Sequence, residues 1–279
     1  SLATRDVRLM ERSLSIDYGI PKGSTWINYV RCHDDIGWGF ENGILKELGL
    51  DPERHKQYMI QFMEGRYPGS FAIGELYEYN PTTQDARNSG TLASLCGLEQ
   101  AMNEKHMYKV ELAVKRILLL HAMVIAYTGI PLLYSGDEIG QRNDWDYKNV
   151  QEYATDSRWL HRVSMDWEAA EHRGDLSTVQ GQIFSKIQAM IQIRKSSHYF
   201  SADYRSVPVD TGNNTVFCFH KEDKMLVLAN FSEREQWVDS KTFDWFGLPG
   251  EMEDLITGRR VRSYHNHIQL GPYEYLWLV

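Results

Sequence analysis

The 279-residue sequence predicts an α/β region followed by an all-β, antiparallel domain. Three observations predict it. Two short apolar runs, at 26–30 and 126–134, each lead into acidic residues flanked by glycines. Apolar residues at helical spacing separate and follow those runs. Beyond about residue 198 the helical spacing gives way to short β-type runs divided by turn residues.

Residues 2–15 carry Leu2, Val7, Leu9, Met10 and Leu14 among charges, a loose helical pattern. Pro21-Lys22-Gly23-Ser24 breaks it. Trp26-Ile27-Asn28-Tyr29-Val30 then reads as a strand. It ends in Arg31-Cys32-His33-Asp34-Asp35, with Gly37 and Gly39 just beyond. A strand running into such a polar, glycine-flanked loop has the form of a (β/α)-barrel strand with its catalytic-face loop. A helix is expected over 53–64, followed by a stretch rich in Gly, Pro and Asn up to about residue 90. Ordered excursions of that length in a compact fold are more often functional than not.

Residues 91–103 and 106–125 read as helices. The run 126–134 reads as a second buried strand, feeding Ser135-Gly136-Asp137-Glu138-Ile139-Gly140. Residues 141–180 are polar and turn-rich. An amphipathic helix follows over 181–196, with Ile183, Phe184, Ile187, Met190 and Ile191 on one face. Short strands are then expected at 216–219, 225–230, 237–238 and 275–279. Turns at Gly212-Asn213-Asn214, Pro249-Gly250 and Thr257-Gly258 divide this region.

Composition removes several classes. The 30 basic and 38 acidic residues leave a net charge of -8, which disfavours nucleic-acid backbone binding. Hydrophobic residues at 42% and charged residues at 24% exclude wholesale disorder. No apolar run is long enough to span a bilayer. Three cysteines without paired spacing argue against a disulfide scaffold and against a structural zinc site. The length suits two domains or a single (β/α) barrel. The start at Ser1, with no initiator Met and no apolar leader, reads as a cut into a longer chain.

Two strand ends therefore deliver carboxylates, His33-Asp34-Asp35 and Asp137-Glu138. Glycoside chemistry needs carboxyl groups facing each other across a sugar, and polar neighbours that stabilise oxocarbenium-like charge. Adjacent acids also serve as loop caps, so neither cluster identifies an enzyme by itself.

The motifs go further. Ser1-Leu2-Ala3-Thr4-Arg5 and the run WINYVRCHDDIGW at 26–38 closely resemble the amylosucrase branch of the α-amylase superfamily, glycoside hydrolase family 13. Gly69-Ser70-Phe71-Ala72, Tyr79-Asn80-Pro81, Ser89-Gly90, Gly129-Ile130-Pro131-Leu132, Gly136-Asp137-Glu138, Asp156-Ser157-Arg158-Trp159 and Ala229-Asn230-Phe231-Ser232 extend the match in order along the chain. The resemblance implies the C-terminal part of a (β/α)8 TIM barrel, units 7 and 8, with an inserted subdomain, followed by an antiparallel β-sandwich. The implied segments are 1–38 (barrel helix 6 and strand 7), 39–90 (the insertion), 91–197 (helix 7, strand 8 and helix 8) and 198–279 (the β domain).

It also implies roles. Asp34 matches the transition-state-stabilising carboxylate, and His33 the sugar-binding histidine beside it. An ionised Asp near ring hydroxyls strengthens its hydrogen bonds as positive charge grows on the sugar. Asp35 and Arg87 match positions that bind the fructosyl side of sucrose through charge-assisted hydrogen bonds. Arg158 matches an arginine that closes the glucosyl pocket by pairing with an upstream acid, a partner this chain would lack. Lys56 falls where many amylosucrases carry a glucan-contacting arginine. Lysine keeps the charge without the planar fork, which bears on polymer elongation more than on sucrose use. Asp137 and Glu138 fall outside the catalytic trio.

No R-x-D follows a β run before residue 26, so the nucleophile and the acid/base are expected upstream of Ser1. The resemblance then implies a retaining, sucrose-cleaving glucosyltransferase of bacterial type, of which this chain is the C-terminal portion and is by itself inactive. Its partners would be sucrose, α-glucan and the missing N-terminal half, with self-association through open barrel edges as a further expectation. No cofactor or metal is implied, and a cytoplasmic location is favoured. A sucrose hydrolase or other α-glucosidase is the alternative within the class. A non-catalytic carbohydrate-binding or assembly module is the alternative outside it.

Overall fold

A computed structural model describes residues 1–16, 20–21, 23–222, 224–246 and 251–279. The expected turn at Pro249-Gly250 lies outside the described residues, as does Lys22 of the expected break after the first helix. The chain forms two units. One comprises Ser1–Asn28, Leu118–Leu132 and Ile187–Val279, and the other Tyr29–Ile117 and Leu133–Lys186.

The fold is mixed α/β with small, mostly antiparallel sheets. The expected part-barrel is corrected. Among the described residues, parallel pairing is confined to Ile27–Asn28 against Ile130–Pro131, two residues on each side. Among the described residues there is no closed, eight-stranded parallel barrel. The physical reasons are local. A barrel strand is hydrogen-bonded on both edges, whereas this ladder has two strands only. Pro131 has no N–H to extend it. Ala126 belongs to the preceding helix, Met107–Ala126, and of the apolar run at 126–134 only Ile130 and Pro131 pair as a strand. Gly129, at φ 136°, turns the chain between helix and ladder. Ile27 and Ile130 are left 61% and 58% exposed, so the run lies open where a buried strand was expected.

The β-sandwich expectation is corrected too. Among the described residues, the C-terminal region holds one four-stranded antiparallel sheet and two two-stranded ones. The larger sheet runs Tyr275–Leu278, Met225–Asn230, Val216–Lys221, Ser206–Pro208 in spatial order. The small ones pair His267–Leu270 with Gln236–Asp239, and Arg260–Arg262 with Glu251–Glu253. One core joins all three sheets, built from Val216, Cys218, Leu226, Leu228, Leu276 and Leu278 with Val238, Ile268, Leu270, Met252 and Val261. The other face of the larger sheet is also covered. Phe219 meets Tyr127 edge-on at 5.1 Å, and Trp277 meets Phe200 at 5.1 Å. Burial on both faces explains why these strands read as continuous apolar runs without alternation.

The C-terminal end of the helix Met107–Ala126 is met by cations. Arg194 donates to the carbonyls of Ile125 and Gly129, and Lys221 Nζ donates to Ala126 O at 3.3 Å. Positive groups suit the C-terminus of Met107–Ala126, where carbonyls lack intrahelical partners. Burial, with Arg194 nearby, pulls the Lys221 ammonium down to about 8.

In the other unit the helix Pro52–Glu64 starts on Asp51, whose side chain accepts the Arg54 N–H at 2.8 Å, with Pro52 in the first turn. It stops at Gly65, φ 94°. Its apolar side buries Met59, Ile60 and Phe62. The helix expected over 91–103 is two helices, Leu92–Leu95 and Leu98–Asn103. The break is Gly97, at φ 91°, where a Cβ would stand 3.0 Å from Phe71. Gly97→Ala should lower stability by about 1–3 kcal/mol, because an L side chain is strained there. Thermal melting of the variant checks this, and an unchanged Tm would contradict it. The stretch before residue 90 holds a hairpin, Glu75–Asn80 with Asp85–Ser89, that strand patterning did not reveal.

No helix of the described residues is long and apolar enough to cross a membrane.

Candidate functional site

The loop carrying His33, Asp34 and Asp35 is pinned at both ends. Before it, Arg31 donates through Nε and Nη2 to Asp137 Oδ1, at 2.9 and 2.7 Å. Both side chains are buried, 4% and 3% exposed, so this pair is held away from solvent. Burial pushes the Asp137 carboxyl up to about 6 against the pull of Arg31. After the loop, Ile36 exchanges backbone hydrogen bonds with Asn88, at 2.8 and 3.1 Å. Asn88 is fully buried. It accepts Trp38 Nε1–H at 2.8 Å and donates to Ile60 O at 3.1 Å, so it ties loop, hairpin and helix together.

Between these anchors the acidic side chains face arginines. Asp34 Oδ1 lies 3.4 Å from Arg162 Nη2 and 3.7 Å from Arg158 Nη1. His33 Nε2 lies 3.5 Å from Asp34 Oδ2. The Asp34 side chain is 51% exposed, so these pairs add at most about 1 kcal/mol to stability. Their effect is to orient a carboxylate that remains open to solvent.

Arg158 sits in the 3-10 turn Ser157–Leu160, which Asp156 caps by accepting the Arg158 N–H at 3.0 Å. The same carboxylate receives Arg158 Nε at 2.9 Å and Nη2 at 2.8 Å, and Arg158 in turn holds Asp156 below the usual carboxylate range. Within this chain Arg158 thus has an acid partner two residues before it. The guanidinium lies over the Tyr77 ring, 4.7 Å from its centroid. Tyr77 is opposite Arg87 in the hairpin register. Arg87 Nη1 reaches Asp35 Oδ2 and Glu78 Oε2, each at 3.4 Å.

The structure therefore brings His33, Asp34 and Arg158 together, and Asp35 with Arg87. Lys56 goes elsewhere. It pairs with Asp85 at 2.7 Å, near the tip of the hairpin, and pulls that carboxyl down. Glu138 turns inward on its own loop, accepting the Gly136 N–H at 2.7 Å.

Two residues of the site escaped sequence reasoning, His161 and Arg162. Arg162 Nε donates to His33 O at 2.8 Å. His161 Nδ1 accepts the Gly90 N–H at 3.1 Å, so its Nε2 carries the proton and donates to His33 O at 3.1 Å. Both ring nitrogens are used only in the neutral form. Burial first, then the charge of Arg31, lowers the His161 imidazole to about 4, with Arg162 adding to the effect and Asp35 opposing it.

This has a pH consequence. The folded value lies below the ordinary 6.5, so the unfolded chain takes up the proton first as pH falls. The His161 contribution is complete above about pH 6.5 and is lost toward pH 4, by up to about 3 kcal/mol. Asp137, raised to about 6, titrates in the opposite sense between about pH 6 and 4. The difference between the natural chain and His161→Gln isolates the histidine. Denaturant unfolding of both should show a gap that closes as pH drops from 7 to 4. A gap independent of pH would contradict the neutral assignment.

No family model matches the chain. It is 23% identical over 262 residues to the glucosylglycerate phosphorylase of Escherichia coli, an alignment that covers 91% of this chain and 41% of that protein. The chain thus spans about two fifths of the length of that relative. Among solved structures it is similar to AmyP in complex with maltose, at 18% identity and a TM-score of 0.46, over 59% of this chain and 34% of that one. It is also similar to the α-amylase of Geobacillus thermoleovorans complexed with acarbose, at 16% identity and a TM-score of 0.41, over 59% of this chain and 33% of that one. All of these similarities are distant, at under 25% identity.

Proposed function

We propose that this chain supplies the sugar-facing part of a retaining, α-glucoside-active enzyme, with sucrose-cleaving glucosyl transfer of the amylosucrase type as its reaction. The observation that carries the reading is the half-exposed Asp34 carboxylate, set beside His33 and the Arg158–Asp156 pair, with Asp35–Arg87 next to it. Asp34 would strengthen hydrogen bonds to ring hydroxyls as the glucosyl carbon becomes cationic. His33 would donate to a hydroxyl of the same sugar. Arg158 would close the glucosyl side, and Asp35 with Arg87 would hold the leaving fructosyl side. Lys56, tied to Asp85, would meet glucan only by leaving that partner.

Retaining chemistry needs a nucleophile and a separate acid/base. The carboxylates of this cluster face arginines, and Asp137 is sealed in its pair with Arg31. In this reading those two groups come from outside the 279 residues, and the missing N-terminal half is the chain's partner. The purified chain alone should show no sucrose turnover. Sucrose cleavage by that chain, with contaminating enzyme excluded, would overturn this division of labour. For the protein that carries the chain, product analysis decides the reaction: glucan and fructose for transfer, free glucose for hydrolysis.

A second reading takes phosphate as the glucosyl acceptor. The similarity to a phosphorylase favours it, and Arg158 and Arg162 are local cations that suit an anion. Sucrose consumption that depends on added inorganic phosphate would select it.

A further inference from the structure

We infer that Cys32, His33 and Asp34 form a binding site for one thiophilic divalent cation of the zinc, cobalt or cadmium class. The spacing of cysteines argues against a site built from cysteine pairs. The loop instead offers three different donors from consecutive residues. One donor atom from each of Cys32, His33 and Asp34 lies within 4.8 Å of the others. The chain folds back here, with the Asp34 N–H directed at Cys32 Sγ at 3.5 Å.

Tetrahedral ligation with bonds of about 2.0–2.3 Å places donors about 3.5 Å apart. The site therefore needs a closure of about 1 Å, which the exposed His33 and Asp34 side chains can supply by rotation. The backbone beneath them is already fixed. Arg31 is locked to Asp137, and the His33 carbonyl is held by both His161 and Arg162.

The donor set selects the ion. A thiolate and an imidazole favour zinc-like metals over calcium or magnesium. Asp34 divides its two oxygens. Oδ2 is the one beside His33, and Oδ1 is the one facing Arg162 and Arg158. The metal would take Oδ2, while Oδ1 keeps its guanidinium and orients the carboxylate as an outer partner. Binding releases the thiol proton to solvent, and water fills the fourth position. The two arginines weaken the site through charge repulsion and do not cover its donors. The ion would engage the same carboxylate that the proposed function turns toward a sugar, but metal binding itself does not rest on that reading.

The spectroscopy is selective, because Cys96 and Cys218 are buried and Cys32 is not. The test is a cadmium or cobalt titration of the whole chain, read by the thiolate-to-metal charge-transfer band. One equivalent should saturate the band. Cys32→Ser should abolish it. Asp34→Asn and His33→Gln should each weaken binding about tenfold or more. His267→Gln, on a C-terminal strand, should leave it unchanged. The targeted side chains of His33 and Asp34 are exposed, so their variants are expected to fold, and circular dichroism verifies it. Absence of a thiolate band overturns the inference. So does a band that neither Asp34→Asn nor His33→Gln weakens, which would mean the thiol alone holds the ion.

Discussion

Arg31→Met is expected to destabilise the chain by about 3–5 kcal/mol. The substitution keeps an apolar stem and deletes both hydrogen bonds to Asp137 Oδ1. It leaves a carboxylate, 3% exposed, with its paired cation gone. It also removes the guanidinium that lies 4.4 Å over the Tyr134 ring. Breaking one half of a buried pair is costly because the survivor keeps its desolvation penalty. Arg31→Met with Asp137→Asn should therefore recover much of the loss, since the second change discharges the orphaned acid. Urea unfolding near neutral pH measures both. If the single and double variants are equally unstable, the charge is not the cause. The site should suffer along with the fold, because Arg31 is the residue immediately before Cys32 and the carboxylate loop.

Asp34→Asn is expected to act the other way, with a large effect on turnover and little on stability. The carboxylate is half exposed and faces exposed or partly exposed partners, so its removal should change Tm only slightly. In the protein that carries this chain, kcat should fall about 10²–10³-fold, the usual cost of losing a group aimed at developing charge. The loss should appear in kcat more than in KM, because the amide still hydrogen-bonds a ground-state hydroxyl. For Asp35→Asn, whose carboxylate pairs with Arg87, the proposed leaving-group role predicts a loss carried by KM rather than kcat.

How much of this was legible depends on the range of each interaction. Local signals read well. The Pro52–Glu64 helix has its Asp51 cap and Gly65 stop within the sequence, and the strands around 216–230 are dense apolar runs. The cluster at 33–35 stood out because its residues are adjacent. What failed was what tertiary contacts decide. The runs at 26–30 and 126–134 look like full strands, yet only two residues of each pair. Gly129 turns the chain just before the ladder, and Pro131 lacks the N–H to extend it. The hairpin Glu75–Asn80 with Asp85–Ser89 lacks alternation, since its second strand buries Asn88 and Ser89 for hydrogen bonding. His161 and Arg162 lie just past the DSRW motif, one residue beyond it, and nothing local in the sequence marks a role for them. Their contacts to His33 span more than a hundred residues, a distance that periodicity and turn chemistry do not reach. Within this chain Arg158 pairs inside its own motif, with Asp156 two residues before it.

The central claim is that the Asp34 cluster faces a sugar. Protein-observed NMR titration of this chain with sucrose and with a maltooligosaccharide tests it most directly. Saturable shifts are expected to concentrate at residues 32–35, at Arg87 and at 158–162, and all should be lost in Asp34→Asn while the remaining spectrum is preserved. Shifts that cluster elsewhere, or that persist unchanged in Asp34→Asn, would contradict it.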